Sequence, residues 1–344
     1  MKAHTMSRPR RKPRTAARPV IALTMGDPAG IGPELCLAML KDPEVLAVCT
    51  PVVFGEALLL RRVARATGQP VPGPVVPFKD WTSRNNDSCR IVDLGCPGGK
   101  HVEPGRISAD TGSAAHRCVV AAVREAMASR VAAVVTAPLS KEALHLAGVP
   151  HPGHTELLAE LTGAPSCCMM LASERIITSL VTTHVALGRV AGQISEARIL
   201  EVIRLTAATA ETLRRRKPRL TVCGLNPHGG ENGLLGTEDR DIIAPAVHRA
   251  RAEGFDVEGP LPPDTAFLPG LIARTEAYIC MYHDQGLIPF KMLAFETGVN
   301  ITLGLPIIRT SPDHGTAFDL AWTGRANPSS MRCAILYAAR LSAV

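Results

Sequence analysis

Short β-branched runs recur along this chain with longer Ala-, Leu- and Arg-rich segments between them, and that alternation restricts the fold more than any other feature. Side chains alternate across a strand with period two and return to one helix face about every 3.6 residues, so each period admits one element type. Runs at residues 20–24, 131–136, 176–183, 220–225 and 277–281 predict strands. Steps of three and four between Ala, Val and Leu through 113–130 and 199–214 predict amphipathic helices. Together these predict an α/β protein with a largely parallel sheet. At 344 residues, two lobes sharing one cleft are expected. No internal repeat occurs, and the Pro/Gly-rich stretch 68–77 reads as a surface excursion or small hairpin.

The net charge of +7 suggests nucleic-acid binding until it is located. Residues 1–18 hold Lys2, Arg8, Arg10, Arg11, Lys12, Arg14 and Arg18 with no acid, leaving 38 − 7 = 31 bases against 31 acids. A basic arm without interleaved aromatics lacks a base-stacking platform, so residues 1–18 are expected to form a disordered basic tail with no nucleic-acid partner. The ten cysteines form no C-x-x-C pair, and Cys223 and Cys280 lie inside apolar runs, which points to a reducing, cytoplasmic setting. No apolar stretch follows the basic residues, and none of about 18 uncharged residues occurs elsewhere, so neither export nor membrane spanning is expected.

Chemistry-bearing residues collect after the strands. Gly26-Asp27-Pro28-Ala29-Gly30-Ile31-Gly32-Pro33-Glu34 joins a strand to a helix, but Leu35 stands where a dinucleotide fingerprint needs its third glycine, and a tight turn explains the glycines equally well. Thr136 to Lys141, Thr182-Thr183-His184, Asn226-Pro227-His228 and Tyr282-His283-Asp284 each end a strand run, and three of these four carry a histidine. Ligands of open α/β sheets collect outside strand ends. Three imidazoles converging on one crevice would hold a borderline divalent cation with positions open for substrate, and Asp284 is a ligand, an orienting group or a base. His154, Thr155, Lys291, Asn300 and Arg309 lie in glycine-punctuated segments, and a lysine point charge with an arginine fork suits a phosphate or carboxylate.

With these motifs in view, the chain resembles the 4-hydroxythreonine-4-phosphate dehydrogenase family over about residues 19 to 335, through residues 26–34, Pro152 to Glu156, Asn226 to Glu231, Tyr282 to Gly286 and Arg309 to Ala317. That family is similar in fold to isocitrate and isopropylmalate dehydrogenases, whose G-D-G-I-G-P-E opening looks like residues 26–34 and whose cofactor loop looks like His314-Gly315-Thr316-Ala317-Phe318-Asp319. The resemblance implies a two-lobe, non-Rossmann α/β fold with the active site in the interlobe cleft. One lobe would comprise 19–145 plus 320–344, and a central lobe, 146–319, would make the homodimer interface.

Carried over by residue, the resemblance places the metal on His184, His228 and His283, with His184 and His228 from one subunit and His283 from the other. It places substrate contacts on His154, Thr155, Lys291, Asn300 and Arg309, acids near the metal on Asp264 and Asp284, and cofactor contacts on Asp313, His314, Gly315 and Thr316. The implied cofactors are NAD or NADP and a divalent cation, Zn, Mg or Co. The implied reaction oxidises a 4-phosphorylated four-carbon hydroxy acid and decarboxylates the β-keto acid, with Lys291, Asp284, Asp264 or a water handling protons. Segments such as Ser140 to Ala147 and Ile288 to Leu293 look more like the paralogues that oxidise D-threonate or D-erythronate 4-phosphate than like the vitamin B6 enzymes. The alternative is a phosphate acyltransferase of similar fold, which needs neither the histidines nor NAD.

Overall fold

The computed structural model describes residues 18–71, 73–82, 90–95, 101–151 and 153–343; the expected tail, apart from Arg18, lies outside them. Twelve strands form one sheet: β1 (Val20–Thr24), β2 (Thr50–Gly55), β3 (Val75–Pro77), β4 (Arg90–Asp93), β5 (Ala133–Thr136), β6 (Cys168–Ala172), β7 (Ile177–Leu180), β8 (Leu220–Cys223), β9 (Val257–Leu261), β10 (Ala277–Cys280), β11 (Val299–Leu303) and β12 (Arg309–Pro312). Their order is β3-β4-β2-β1-β5-β12-β11-β6-β7-β10-β8-β9. All five strand expectations and both helix expectations fall on observed elements, the helices being Ala109–Met127 and Glu196–Arg214. The stretch 68–77 ends not in a hairpin but in β3, an edge strand parallel to β4.

Eight of the eleven strand pairings are parallel; the three antiparallel ones, β12–β11, β11–β6 and β6–β7, lie together in the middle. Two parallel halves of opposite direction therefore meet at a seam. The parallel strands have near-continuous apolar runs, as strands covered on both faces require, and β1, β5, β8 and β10 are buried almost throughout. β11 differs because it alternates. Val299, Ile301 and Leu303 enter the main core, which leaves Asn300 and Thr302 on the opposite face. In register with them, Arg309 and Ser311 of β12 share that polar face, while Thr310 donates from its hydroxyl to Ala334 O in the helix Ser329–Leu341.

The polar face of the seam is flanked by elements with strong local stop and start signals. Ser108 opens Ala109–Met127 with a reciprocal capping box to Thr111, and Ser195 Oγ accepts from Arg198 N at the start of Glu196–Arg214. Ser140 Oγ accepts from Ala143 N and starts the short helix Lys141–Leu146, which presses on Ala109–Met127. The approach is so close that a Cβ at Gly112 would lie 1.9 Å from the Ala143 carbonyl oxygen. Gly112→Ala therefore forces the two helices apart and is expected to cost about 1–3 kcal/mol, read from urea unfolding; an unchanged midpoint would show that the helices do not meet this closely.

Candidate active site

A cavity of about 420 Å³ covers the seam. Its floor is Thr136, Met169, Asn300, Arg309 and Ser311, and its walls include Lys141, His154, Thr155, Glu156, His184, His283, Lys291, Asp313, His314 and Gly315. Segments that follow β5, β7, β10 and β12 and the first residues of three helices, Lys141, His154 and His283, thus converge with the two polar strand faces.

Arg309 dominates the electrostatics. It is 3% exposed, and its hydrogen-bond partners among the described residues are hydroxyls: Nε and Nη2 donate to Thr136 Oγ1 at 3.2 and 2.7 Å, and Nη1 donates to Thr302 Oγ1 at 2.9 Å. No carboxylate lies within ion-pair distance of it among the described residues. Burial pushes its pKa down to about 10, so it remains a cation at neutral pH. A buried charge without a counter-charge is costly, and the cavity beside it is where an anion would remove that cost. His154 begins the helix His154–Thr162, whose N-cap, Gly153, has no side-chain oxygen to satisfy the first turn. Its Nε2 is buried without a partner, and burial and the Arg309 charge hold its pKa well below the ordinary value, which keeps the ring neutral. Backbone N–H groups at a helix start, an unpaired imidazole nitrogen and an uncompensated guanidinium form an anion seat.

At the other side of the cavity the rings of His184 and His283 lie 5.8 Å apart between centroids. His283 Nδ1 is 2.7 Å from Asp284 Oδ1; a carboxylate only accepts, so Nδ1 carries a proton, and in the neutral form of the ring Nε2 holds the lone pair. Loss of hydration, then the Lys141 and His283 charges, lower the His184 pKa. Lys291 Nζ is 3.1 Å from Asp313 Oδ2, which joins a residue expected to touch substrate to one expected to touch cofactor. Asp313 N in turn donates to Ser330 Oγ, fixing the start of that loop.

Not every expected residue arrives here. Thr316 faces away: its carbonyl accepts from Ile31 N, and a Cβ at Gly30 would meet it at 2.9 Å. Residues 26–34 therefore form a tightly packed turn: Gly30 meets the Thr316 carbonyl, Gly26 that of Pro138 and Gly32 that of Met25. Asp264 and the outward Asp284 line a second groove with Phe267, Tyr282, Ile288 and Met292. His228 is exposed and does not line the cavity. It sits in Pro227–Gly233, where His228 to Asn232 all have left-handed φ between 46° and 81°. The buried Asp239 holds the segment by accepting from Leu225 N, Asn226 N and Asn226 Nδ2. A run of left-handed residues is strained for His228, Glu231 and Asn232 and needs such a clamp. Within one chain the facing pair is thus His184 with His283, not His184 with His228, and no group of three metal-binding side chains forms among the described residues.

Thr136 and Lys141 bound one of the strand-end segments named from the sequence, whereas Thr302, Ser311 and Glu156 carry no role assigned there. The alternation V-N-I-T-L in β11 is a signal that would place Thr302 on the same face as Asn300; no comparable local signal exists for Glu156.

A pocket floored by an arginine that no carboxylate pairs among the described residues, and walled by imidazoles, suits a small anionic ligand. Residues 47–338 match the family described as "Pyridoxal phosphate biosynthetic protein PdxA", and the chain belongs to it. It is 44% identical to the 4-hydroxythreonine-4-phosphate dehydrogenase of Desulforapulum autotrophicum over 94% of this chain and 96% of that one. It is 43% identical to the D-threonate 4-phosphate dehydrogenase of Pectobacterium atrosepticum over 94% and 99%. A crystal structure of 4-hydroxythreonine-4-phosphate dehydrogenase from Klebsiella pneumoniae, 42% identical, superposes with a TM-score of 0.83 over 95% of this chain and 99% of that one.

Replacing Arg309 by Met should leave stability in phosphate-free buffer unchanged or raised, because a buried uncompensated charge is removed. Added inorganic phosphate should raise the melting temperature of the wild type but not of Arg309→Met. A large loss of stability without phosphate would mean that the guanidinium is structural.

Proposed function

We propose that this chain is an NAD-dependent dehydrogenase that oxidises the C3 hydroxyl of a 4-phosphorylated four-carbon hydroxy acid, followed by decarboxylation of the β-keto acid. D-Threonate or D-erythronate 4-phosphate is the preferred substrate and 4-hydroxy-L-threonine 4-phosphate the lesser one. The observation that carries this reading is the placement of a buried, counter-charge-free Arg309 in the same cavity as the His184–His283 pair and Lys291. The names of the relatives support the reaction class: they are dehydrogenases of 4-phosphorylated threonine or threonate.

The donor set fits a divalent cation. Loss of hydration lowers the His184 pKa, the neutral form of His283 offers Nε2 once Nδ1 is bonded to Asp284, and the two rings lie 5.8 Å apart. His184 and His283 would hold the cation, with His228 furnished by a second subunit. Such a cation supplies Lewis acidity to a hydroxyl and to the negative charge left as carbon dioxide departs. A homodimer with a shared site is supported by the apolar side chains Ile288, Met292 and Phe295. They are 61%, 80% and 72% exposed, the first two on the helix His283–Ala294 and Phe295 at its C-cap.

The chain's own residues divide the remaining work. Arg309, His154, Thr155 and Asn300 bind the phosphate and fix the carbon skeleton. Lys291, steadied by Asp313, lies inside the cavity and moves the proton. Asp284 is poorly placed for that task, since its side chain is 71% exposed and it lines the other groove. Asp313, His314 and Gly315 present backbone and side-chain groups at the same cavity, where the nicotinamide would accept hydride.

Turnover followed at the reduced-nicotinamide absorbance should appear with D-threonate 4-phosphate and NAD and should fall with chelator. Lys291→Met should lower kcat by about a hundredfold or more. Acyl transfer from an acyl phosphate to coenzyme A, with no nicotinamide reduction on any of the three phosphates, would favour the acyltransferase instead.

A further inference from the structure

We propose that Gln285, together with Thr182, is a positioning residue for the histidine pair of the cavity: its carboxamide forms an extra rung between the carboxyl ends of β10 and β8 and so sets where His283 stands against His184. This rests on reading that pair as ligands of a divalent cation.

The strands that lead to His184, His283 and His228 are neighbours, in the order β7-β10-β8. On the β7 side, backbone pairing runs past the strand ends. Val181 N donates to Cys280 O at 2.8 Å, Thr182 N to Met281 O at 3.2 Å, and Thr182 Oγ1 to that same oxygen at 2.8 Å. On the β8 side the register stops at Ile279 with Val222. There the Gln285 side chain takes over. Its Oε1 accepts from Met281 N at 2.6 Å, and its Nε2 donates to Gly224 O at 2.7 Å. A carboxamide carries an acceptor and a donor, as a peptide group does, so it can stand in for a missing rung.

A glutamine in the third position of a helix commonly reaches back to cap its start, and Gln285 is the third residue of His283–Ala294. Capping does not explain the second bond, which reaches a strand end 61 residues away in sequence. Both ends of the rung are shielded from water, since Gln285 is 6% exposed and Met281 fully buried. The helix start also has no slack: a Cβ at Gly286 would lie 2.9 Å from Leu180 Cδ2 and 3.2 Å from Cys280 Sγ. Met281 is thus held through its carbonyl by Thr182 and through its N–H by Gln285. His184 follows Thr182 by two residues, and His283 follows Met281 by two. Two rings whose centroids are 5.8 Å apart can share a cation only if neither drifts, because metal–nitrogen bonds are fixed at about 2 Å.

The test is calorimetric titration of cobalt(II) into the chelator-stripped, full-length protein. The rise in melting temperature given by inorganic phosphate serves as a separate reading of the Arg309 seat, which no Gln285 bond touches. Gln285→Met removes both bonds of the rung at nearly constant length, and Thr182→Val removes only the hydroxyl bond. Cobalt binding should weaken by about tenfold to a hundredfold in Gln285→Met and by a smaller factor in Thr182→Val. Both variants should keep the phosphate response of the wild type, which also shows that they are folded. Unchanged cobalt affinity in both would overturn the role of Gln285. Loss of the phosphate response along with cobalt would overturn it as well, since Gln285 would then hold the fold rather than the pair. A wild type that responds to phosphate but takes up no cobalt would overturn the reading of the pair as ligands, and the positioning role with it.

Discussion

The site depends on a guanidinium buried without a counter-charge. Arg309 could be tolerated at 3% exposure only because Thr136 and Thr302 accept its donors, and both threonines owe their positions to the sheet seam. The seam exists because β11 and β6 run against their neighbours, joining two parallel halves that point in opposite directions. An all-parallel sheet would bury both faces of these strands in apolar layers. Here one face of β11 and β12 is given to Asn300, Thr302, Arg309 and Ser311, and a cavity replaces a covering layer.

That arrangement links fold and chemistry through few residues. Thr136 ends one parallel half, His184 and His283 follow strands of the other, and Lys291 lies on the helix that His283 begins. The anion seat and the imidazole pair are thus built from opposite halves of the sheet, so a ligand that spans them touches both. The left-handed segment at His228, clamped by Asp239, holds that expected site residue outside the cavity.

Much of the fold was legible because parallel strands buried on both faces leave uninterrupted apolar runs, as at 220–225 and 277–281, and because Ser108 and Ser195 mark helix starts. The reversal at the seam was not legible: strand direction is decided by pairing between segments far apart in sequence, such as Val299 with both Pro312 and Ala172. The strand-end residues His184, His283 and Lys291 could be read from position alone. Arg309 could be marked as an anion binder, but not as unpaired, since the absence of a carboxylate is a fact of packing. The packing of Thr316 against Gly30 and Ile31 was hidden for the same kind of reason, since those partners lie nearly the whole chain away.

The central claim is that Arg309 is kept without a protein counter-charge so that a substrate phosphate can supply one. A crystal structure with D-threonate 4-phosphate bound tests it most directly. The phosphate is expected within about 3 Å of the Arg309 guanidinium nitrogens, with His154 and Thr155 completing its shell. A phosphate seated elsewhere, with a protein carboxylate turned onto Arg309, would contradict it.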